Sequence, residues 1–430
     1  MILANERLKI LRFARLILKI MKQLLVLLTF AIAFVHFSFG QTSDIPLHEI
    51  KFSHEIAQQL ADGKLSEPTA ACFYSFIGQN RQALQTYELE TLDWGLDSMS
   101  VADSLRFLEF HPIDAVDYLA KRLSREQIVI ISEAHANPQH RVFTRRLLKS
   151  LRENGFRHIG LETITSSFED STQFLEDTLL NKRGYPLNSP ISGMYTREPQ
   201  MANLVREAIE LGFTVFGYEK TTQKTDRDLQ QALNIQHYLA EHPNEKIVIH
   251  CGYYHAVESS FPKGKNGNYM AYHLKKLTEI DPFTIYQDAL SEKLKQPESP
   301  YYKMVNAVES SVLVDENAHL FNGFDTIAHF DALIYHPRTK FVKGRPDWLA
   351  SLPGNHFVAI DQQKIANENY PTIVQAFLTS EDANATPLDM VEILSKSEEK
   401  ALLLKTGNYR IRILDKNRQV IEYEQKVPLN

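Results

Sequence analysis

From Gln127 onward the chain alternates short apolar runs with amphipathic segments. The runs are QIVII at 127–131, FRHIGL at 156–161, FTVFG at 213–217, KIVIH at 246–250, FTIYQ at 283–287 and FDALIY at 330–335. Each is rich in β-branched or aromatic residues and lacks the period-two polarity of a strand with one wet face, as expected when both faces are buried. The segments between them repeat apolar residues at helical spacing and carry helix punctuation. Asn137 and Pro138 open one helix and Gly155 closes it, Pro199 and Gly212 bracket the next, and Pro243 stops DRDLQQALNIQHYLAEHP. The pattern predicts an α/β fold, a mainly parallel sheet covered by helices, over residues 121–350.

The flanks read differently. Residues 41–120 carry helical spacing, as in HEIAQQLADGKL and FYSFIGQNRQALQTYELETL, and predict a helical lead-in packed on the main domain. Residues 351–430 predict a linker and a small β-rich unit, because KALLLKTGNYRIRILDKNRQVIEYEQKV alternates apolar and polar residues around Gly407 and Asn417. Residues 1–40 predict an export signal that starts at Met21. Lys22 precedes an apolar run of signal length, and Ser38 and Gly40 sit at the −3 and −1 positions before Gln41. The expected location is periplasmic or secreted, with no stable membrane span after cleavage.

Composition narrows the partners. The 430 residues include 47 Lys and Arg against 53 Asp and Glu, a net charge of −6, with no basic stripe in the mature part. That gives no footprint for nucleic acid and points to a small-molecule or peptide substrate. The two cysteines, Cys72 and Cys251, read as buried free thiols.

In open parallel sheets ligands bind beyond the carboxyl ends of the strands. The six runs are followed there by Glu133 and His135, by Glu162, by Tyr218 and Glu219, by His250 and His255, by Gln287, and by His336. One polar residue at a strand end is ordinarily a helix cap or faces water. A parallel fold gathers all of these at one rim, and carboxylates with imidazoles there suit acid–base chemistry or metal binding. Two chemistries stay open: general-base hydrolysis, or a divalent metal held by His135, His255 and Glu162 with an open position for water. The sequence lacks GxSxG, GxxxxGK[ST], CxxC and HExxH motifs.

Four stretches, in order, resemble one known superfamily. SEAHANPQH, FRHIGLE, TDRDLQQALNIQHYL with Arg227, Asp228 and Asn234, and KIVIHCGYYHA with Gly252 and His255 are similar to the motifs of the erythromycin esterase-like, ChaN-like and Tiki superfamily, closest to the ChaN-like branch. The resemblance covers about residues 125–290. It implies a site centred on Glu133, His135, Glu162 and His255, with Arg145 or Arg227 as supporting charge. Ser132 departs from it, standing where the family usually has Gly, and the signal lacks the Cys of a lipid-anchored form. In that superfamily, esterase members use such a His as general base, Tiki-like members are metal-dependent proteases, and ChaN-like members are linked to haem or iron uptake.

The resulting expectation is an exported hydrolase in which Glu133, His135, Glu162, His255 and Arg227 carry the chemistry. The alternative is an envelope protein that binds haem or iron through Tyr218, Glu219, Tyr253 and Tyr254, since Tyr is a known haem ligand.

Overall fold

All six apolar runs become parallel neighbours in one eight-stranded sheet of the computed structural model, which describes residues 50–88, 96, 98–167, 174–220, 226–260, 268–324, 329–365 and 369–429. The strands are β1 (His111–Asp114), β2 (Ile128–Glu133), β3 (Phe156–Leu161), β4 (Thr214–Gly217), β5 (Lys246–Gly252), β6 (Phe283–Leu290), β7 (Ser311–Val314) and β8 (Ala332–Tyr335). Their order is β1-β7-β8-β6-β2-β5-β3-β4. The predicted export signal lies outside the described residues, among which no helix is long and apolar enough to cross a membrane.

The absence of period-two polarity in the runs has a direct cause. Ile128, Ile130, Ile247 and Ile249 enter a core on one face of the sheet, against Ala232, Ile235, Met270 and Leu274. Val129, Ile131 and Val248 enter a second core on the other face, against Leu119, Leu147, Leu148, Leu204 and Val205. Both faces are dry, so alternate residues are equally apolar. The covering helices are named together with those of the lead-in: α1 (Ser53–Ala61), α2 (Glu67–Phe76), α3 (Asn80–Tyr87), α4 (Val101–Phe107), α5 (Ala115–Arg122), α6 (Pro138–Glu153), α7 (Pro199–Glu210), α8 (Arg227–Glu241) and α9 (Met270–Thr278). Asn137 caps α6 by accepting the Gln139 N–H, with Pro138 in the first turn, and Gly155 and Gly212 follow their helices at φ +94 and +84.

One departure from the expected layout occurs at the flanks. The lead-in is not wholly helical, because HPID forms β1, an edge strand that pairs only with β7; an edge tolerates Pro112, which has no N–H to give a second neighbour. The tail carries the expected β-rich unit. It contains β9 (His356–Ala359), β10 (Thr372–Leu378), β11 (Asp389–Ile393), β12 (Ala401–Leu404), β13 (Gly407–Asp415) and β14 (Val420–Val427), with a four-stranded antiparallel sheet ordered β11-β10-β13-β14. Ile373, Met390 and Leu414 of that sheet share a core with Phe52, Ile56 and Tyr74 of the lead-in. Arg206 of α7 clamps Glu381 with two bonds of 2.8 and 2.7 Å.

In the order of the eight-stranded sheet, β5 lies between β2 and β3, while β6 and β8 lie on the far side of β2. The carboxyl ends of β2 and β5 thus lie side by side in the middle of the sheet, at the end where α/β sheets bind ligands.

Candidate active site

The last residue of β2, Glu133, is 1% exposed and meets the fully buried Arg141 one turn into α6. Arg141 donates from Nε to Oε2 at 2.8 Å and from Nη2 to Oε1 at 2.7 Å, the bidentate fork suited to a carboxylate. Its Nη2 also donates to the His135 carbonyl at 2.8 Å, and Nη1 to Glu198 Oε2 at 3.0 Å. Glu198 in turn caps α7, accepting the N–H groups of Gln200 and Met201 at 2.9 and 2.8 Å. Burial alone would push the Glu133 pKa up, but Arg141, His250 and His135 hold it well below the ordinary carboxylate range, so Glu133 stays ionised. His250 Nε2 lies 3.5 Å from Glu133 Oε2, and burial lowers its pKa to about 4 despite the carboxylate.

The anion at Glu133 orients His135. His135 Nδ1 sits 2.9 Å from Glu133 Oε1, which assigns the proton to Nδ1 and leaves a lone pair on Nε2. Nε2 has no hydrogen-bond partner among the described residues. The ring stacks on Tyr195, with centroids 4.0 Å apart, and meets the Tyr253 ring edge-on at 4.8 Å. Beneath Nε2 lies Gly252, where an added Cβ would fall 2.3 Å from Nε2 and 3.2 Å from Glu162 Oε2.

Glu162, in the short turn after β3, is the second carboxylate. Its Oε2 accepts the Gly252 N–H at 2.6 Å and its Oε1 accepts Arg227 Nη2 at 2.6 Å. Burial works against its charge, and His255, His135 and Arg227 overcome that to lower its pKa. Arg227 also donates from Nε to Glu219 Oε1 at 2.5 Å and from Nη1 to His255 Nε2 at 3.0 Å. His255 Nδ1 donates to Asp228 Oδ1 at 2.6 Å. A guanidinium has five N–H groups, and three of those of Arg227 are bonded among the described residues. Arg227 is also the exposed member, its side chain 47% accessible against 9% for Glu162 and 12% for His255.

The structure therefore brings together Glu133, His135, Glu162, Arg227 and His255, all expected from the sequence. Arg145 stands one turn beyond, bonded to Gln200 and Glu207, and Arg141 takes the supporting role at Glu133. Arg141, Glu198 and Tyr195 were not expected. The signal for Arg141 was its place three and seven residues before Thr144 and Leu148, on the buried face of α6. His140 is fully buried, its Nδ1 accepts the Ala134 N–H at 3.0 Å, and burial lowers its pKa to about 3. Gln287 and His336 belong to a neighbouring network, with Gln287 bonded to the Ser132 carbonyl at 2.8 Å and to His336 at 3.2 Å.

The expected cofactor ligands do not line this rim as a set. Tyr218 is 1% exposed and its hydroxyl donates to the His250 carbonyl at 3.0 Å, while burial raises its pKa well above that of a free phenol. Glu219 is engaged by Arg227 and Gln231. Tyr254 packs among Tyr253, Tyr269 and Tyr286. A divalent metal fits no better. No group of three His, Cys, Asp or Glu among the described residues could hold one, and each site carboxylate is already compensated by a guanidinium where a cation would sit. Cys72 and Cys251 are both free and buried, with burial pushing the Cys72 thiol up to about 12.

No family model matches the chain, and no curated protein does. Three solved structures show a distant likeness. The type III effector HopBA1 is 13% identical with a TM-score of 0.29, over 44% of this chain and 92% of that one. RRSP, a MARTX toxin effector domain from Vibrio vulnificus CMCP6, is 13% identical with a TM-score of 0.28, over 62% and 49%. A structure described as "Bacterial protein toxins" is 15% identical with a TM-score of 0.27, over 53% and 46%. Likeness this low carries no argument about function.

Proposed function

We propose that the chain is an exported hydrolase that activates water with His135. The observation that carries the proposal is the pairing of an ionised, guanidinium-locked Glu133 with His135 Nδ1, which leaves Nε2 as an acceptor without a partner among the described residues. His255 is the weaker candidate for the base, because Arg227 already engages its Nε2. In the proposed step His135 Nε2 takes a proton from water as the oxygen bonds to an acyl carbon. The carbonyl electrons move onto oxygen, and the two remaining N–H groups of Arg227 face that charge. Collapse of the intermediate breaks the bond to the leaving group, which departs with the proton from His135. Glu162 and His255 hold Arg227 in place.

The resemblance of the four strand-end motifs to the erythromycin esterase-like, ChaN-like and Tiki superfamily agrees with hydrolysis, and the signal-like segment supports export. The test is a panel of ester and amide substrates assayed with wild-type protein and with His135→Ala, Glu133→Gln and His255→Ala. General-base loss is expected to lower turnover by about 10²–10⁴ in His135→Ala. Full turnover in a folded His135→Ala variant overturns the proposal.

A further inference from the structure

The residue after Gly252 is held in an unusual conformation. Tyr253 has φ +46, the left-handed region that an ordinary side chain enters only at a cost, and such residues persist where their surroundings over-determine them. The turn brings its ring to the imidazole of His135. There it meets His135 edge-on at 4.8 Å, with ring planes at 79°, and its hydroxyl accepts the His135 backbone N–H at 3.3 Å. With Tyr195 stacked on the face of the imidazole, His135 is confined from two directions.

Tyr253 is itself held by the lead-in. Tyr87, the last residue of α3, stacks on it at 5.7 Å and 23°, and donates its hydroxyl to Asp288 Oδ2 of β6 at 2.9 Å. The next residue, Glu88, accepts three consecutive backbone N–H groups, those of Leu294, Lys295 and Gln296, at 2.5, 2.6 and 2.9 Å. Ala71 of α2 closes against Ala134 and Ala136, on either side of His135 in sequence. A continuous set of contacts thus runs from the helical lead-in to the imidazole, and nothing in the proposed chemistry uses it directly.

We propose that Tyr253 and Tyr87 are positioning residues for His135, so that the lead-in is a working part of the active site and not merely a cover on it; this rests on His135 acting as the base. Their role is to keep the ring where Nδ1 meets Glu133 and Nε2 stays unbonded over Gly252. The physical reason is that a base displaced by about an ångström loses roughly a hundredfold in rate.

The experiment uses full-length protein with ¹⁵N-labelled histidine. Imidazole spectra and turnover are recorded for wild type, Tyr253→Phe, Tyr253→Ala, Tyr87→Phe and Tyr87→Ala. In wild type His135 is expected to show one neutral tautomer, protonated at Nδ1. Tyr253→Ala is expected to average the two tautomers and to lower turnover roughly tenfold to a hundredfold. Tyr87→Ala is expected to act in the same direction to a smaller extent. The phenylalanine variants keep the rings and lose no more than about a few-fold. If Tyr253→Ala fails to fold, Tyr253→Gly removes the same ring at a backbone angle that suits glycine. Folded ring-deleted variants with the wild-type His135 signal overturn the positioning role. A shifted His135 signal, in a protein whose turnover His135→Ala leaves intact, upholds positioning and overturns only the assignment of His135 as the base.

Discussion

Gly252 and His135 share a space that admits no side chain. A Cβ on Gly252 would lie 2.3 Å from His135 Nε2, although its backbone, at φ −87 and ψ 143, is open to any residue. The need for glycine is therefore steric and belongs to the site, not to the turn. Gly252→Ala is expected to displace the imidazole, lower turnover by about 10²–10⁴, and cost roughly 1–3 kcal/mol in urea unfolding from overpacking. An alanine variant with wild-type turnover would show that the position of Nε2 does not matter.

Arg141 is fully buried with Glu133 and Glu198, so its removal leaves carboxylates without compensation. Arg141→Met is expected to destabilise the protein by about 3–5 kcal/mol. Adding Glu133→Gln to Arg141→Met should recover part of that loss, because the stranded charge is then gone. A double-mutant cycle by chemical denaturation measures the coupling, and strictly additive effects would contradict the ion pair.

Stability should depend on pH through groups of opposite sign. His250 and His140 have folded pKa values lowered to about 4 and about 3, so the unfolded chain binds more protons from pH 6.5 downward and stability falls as pH drops through that window. Each contributes up to roughly 1.4 kcal/mol per pH unit. Glu133, with a lowered pKa, adds a loss below about pH 4.5 as its carboxylate is forced to protonate. In His255, burial is outweighed by Glu162 and Asp228, so its pKa is raised; the stability it adds is complete below pH 6.5 and lost as pH rises through the folded value. Urea midpoints across this range should fall on both sides of about pH 6.5. A flat acid limb would mean that the two imidazoles are not held neutral.

Because guanidinium groups already neutralise Glu133 and Glu162, a chelator is expected to change neither turnover nor the thermal midpoint. Activity lost to chelation and restored by one divalent ion would replace the general-base proposal with a metal-centred one.

The sequence by itself determined the sheet, because β-branched runs with no wet face have no stable arrangement except between two layers of helices. It also located Glu133, Glu162 and His255 at strand ends, where a parallel sheet gathers polar groups. Only the tertiary structure decided which cations meet them. Arg141, Arg145 and Arg146 lie within six residues on one helix, and local spacing does not say that Arg141 reaches Glu133, Arg145 reaches Glu207 and Arg146 turns to Glu309. Those choices depend on where α7 and its Glu198 and Glu207 fall in space, through contacts about sixty residues apart. The role of Gly252 was hidden for the same reason. In sequence Gly252 stands only as the glycine of the stretch that carries the resemblance, and the approach of His135 from the loop after β2 shows that the space is already taken.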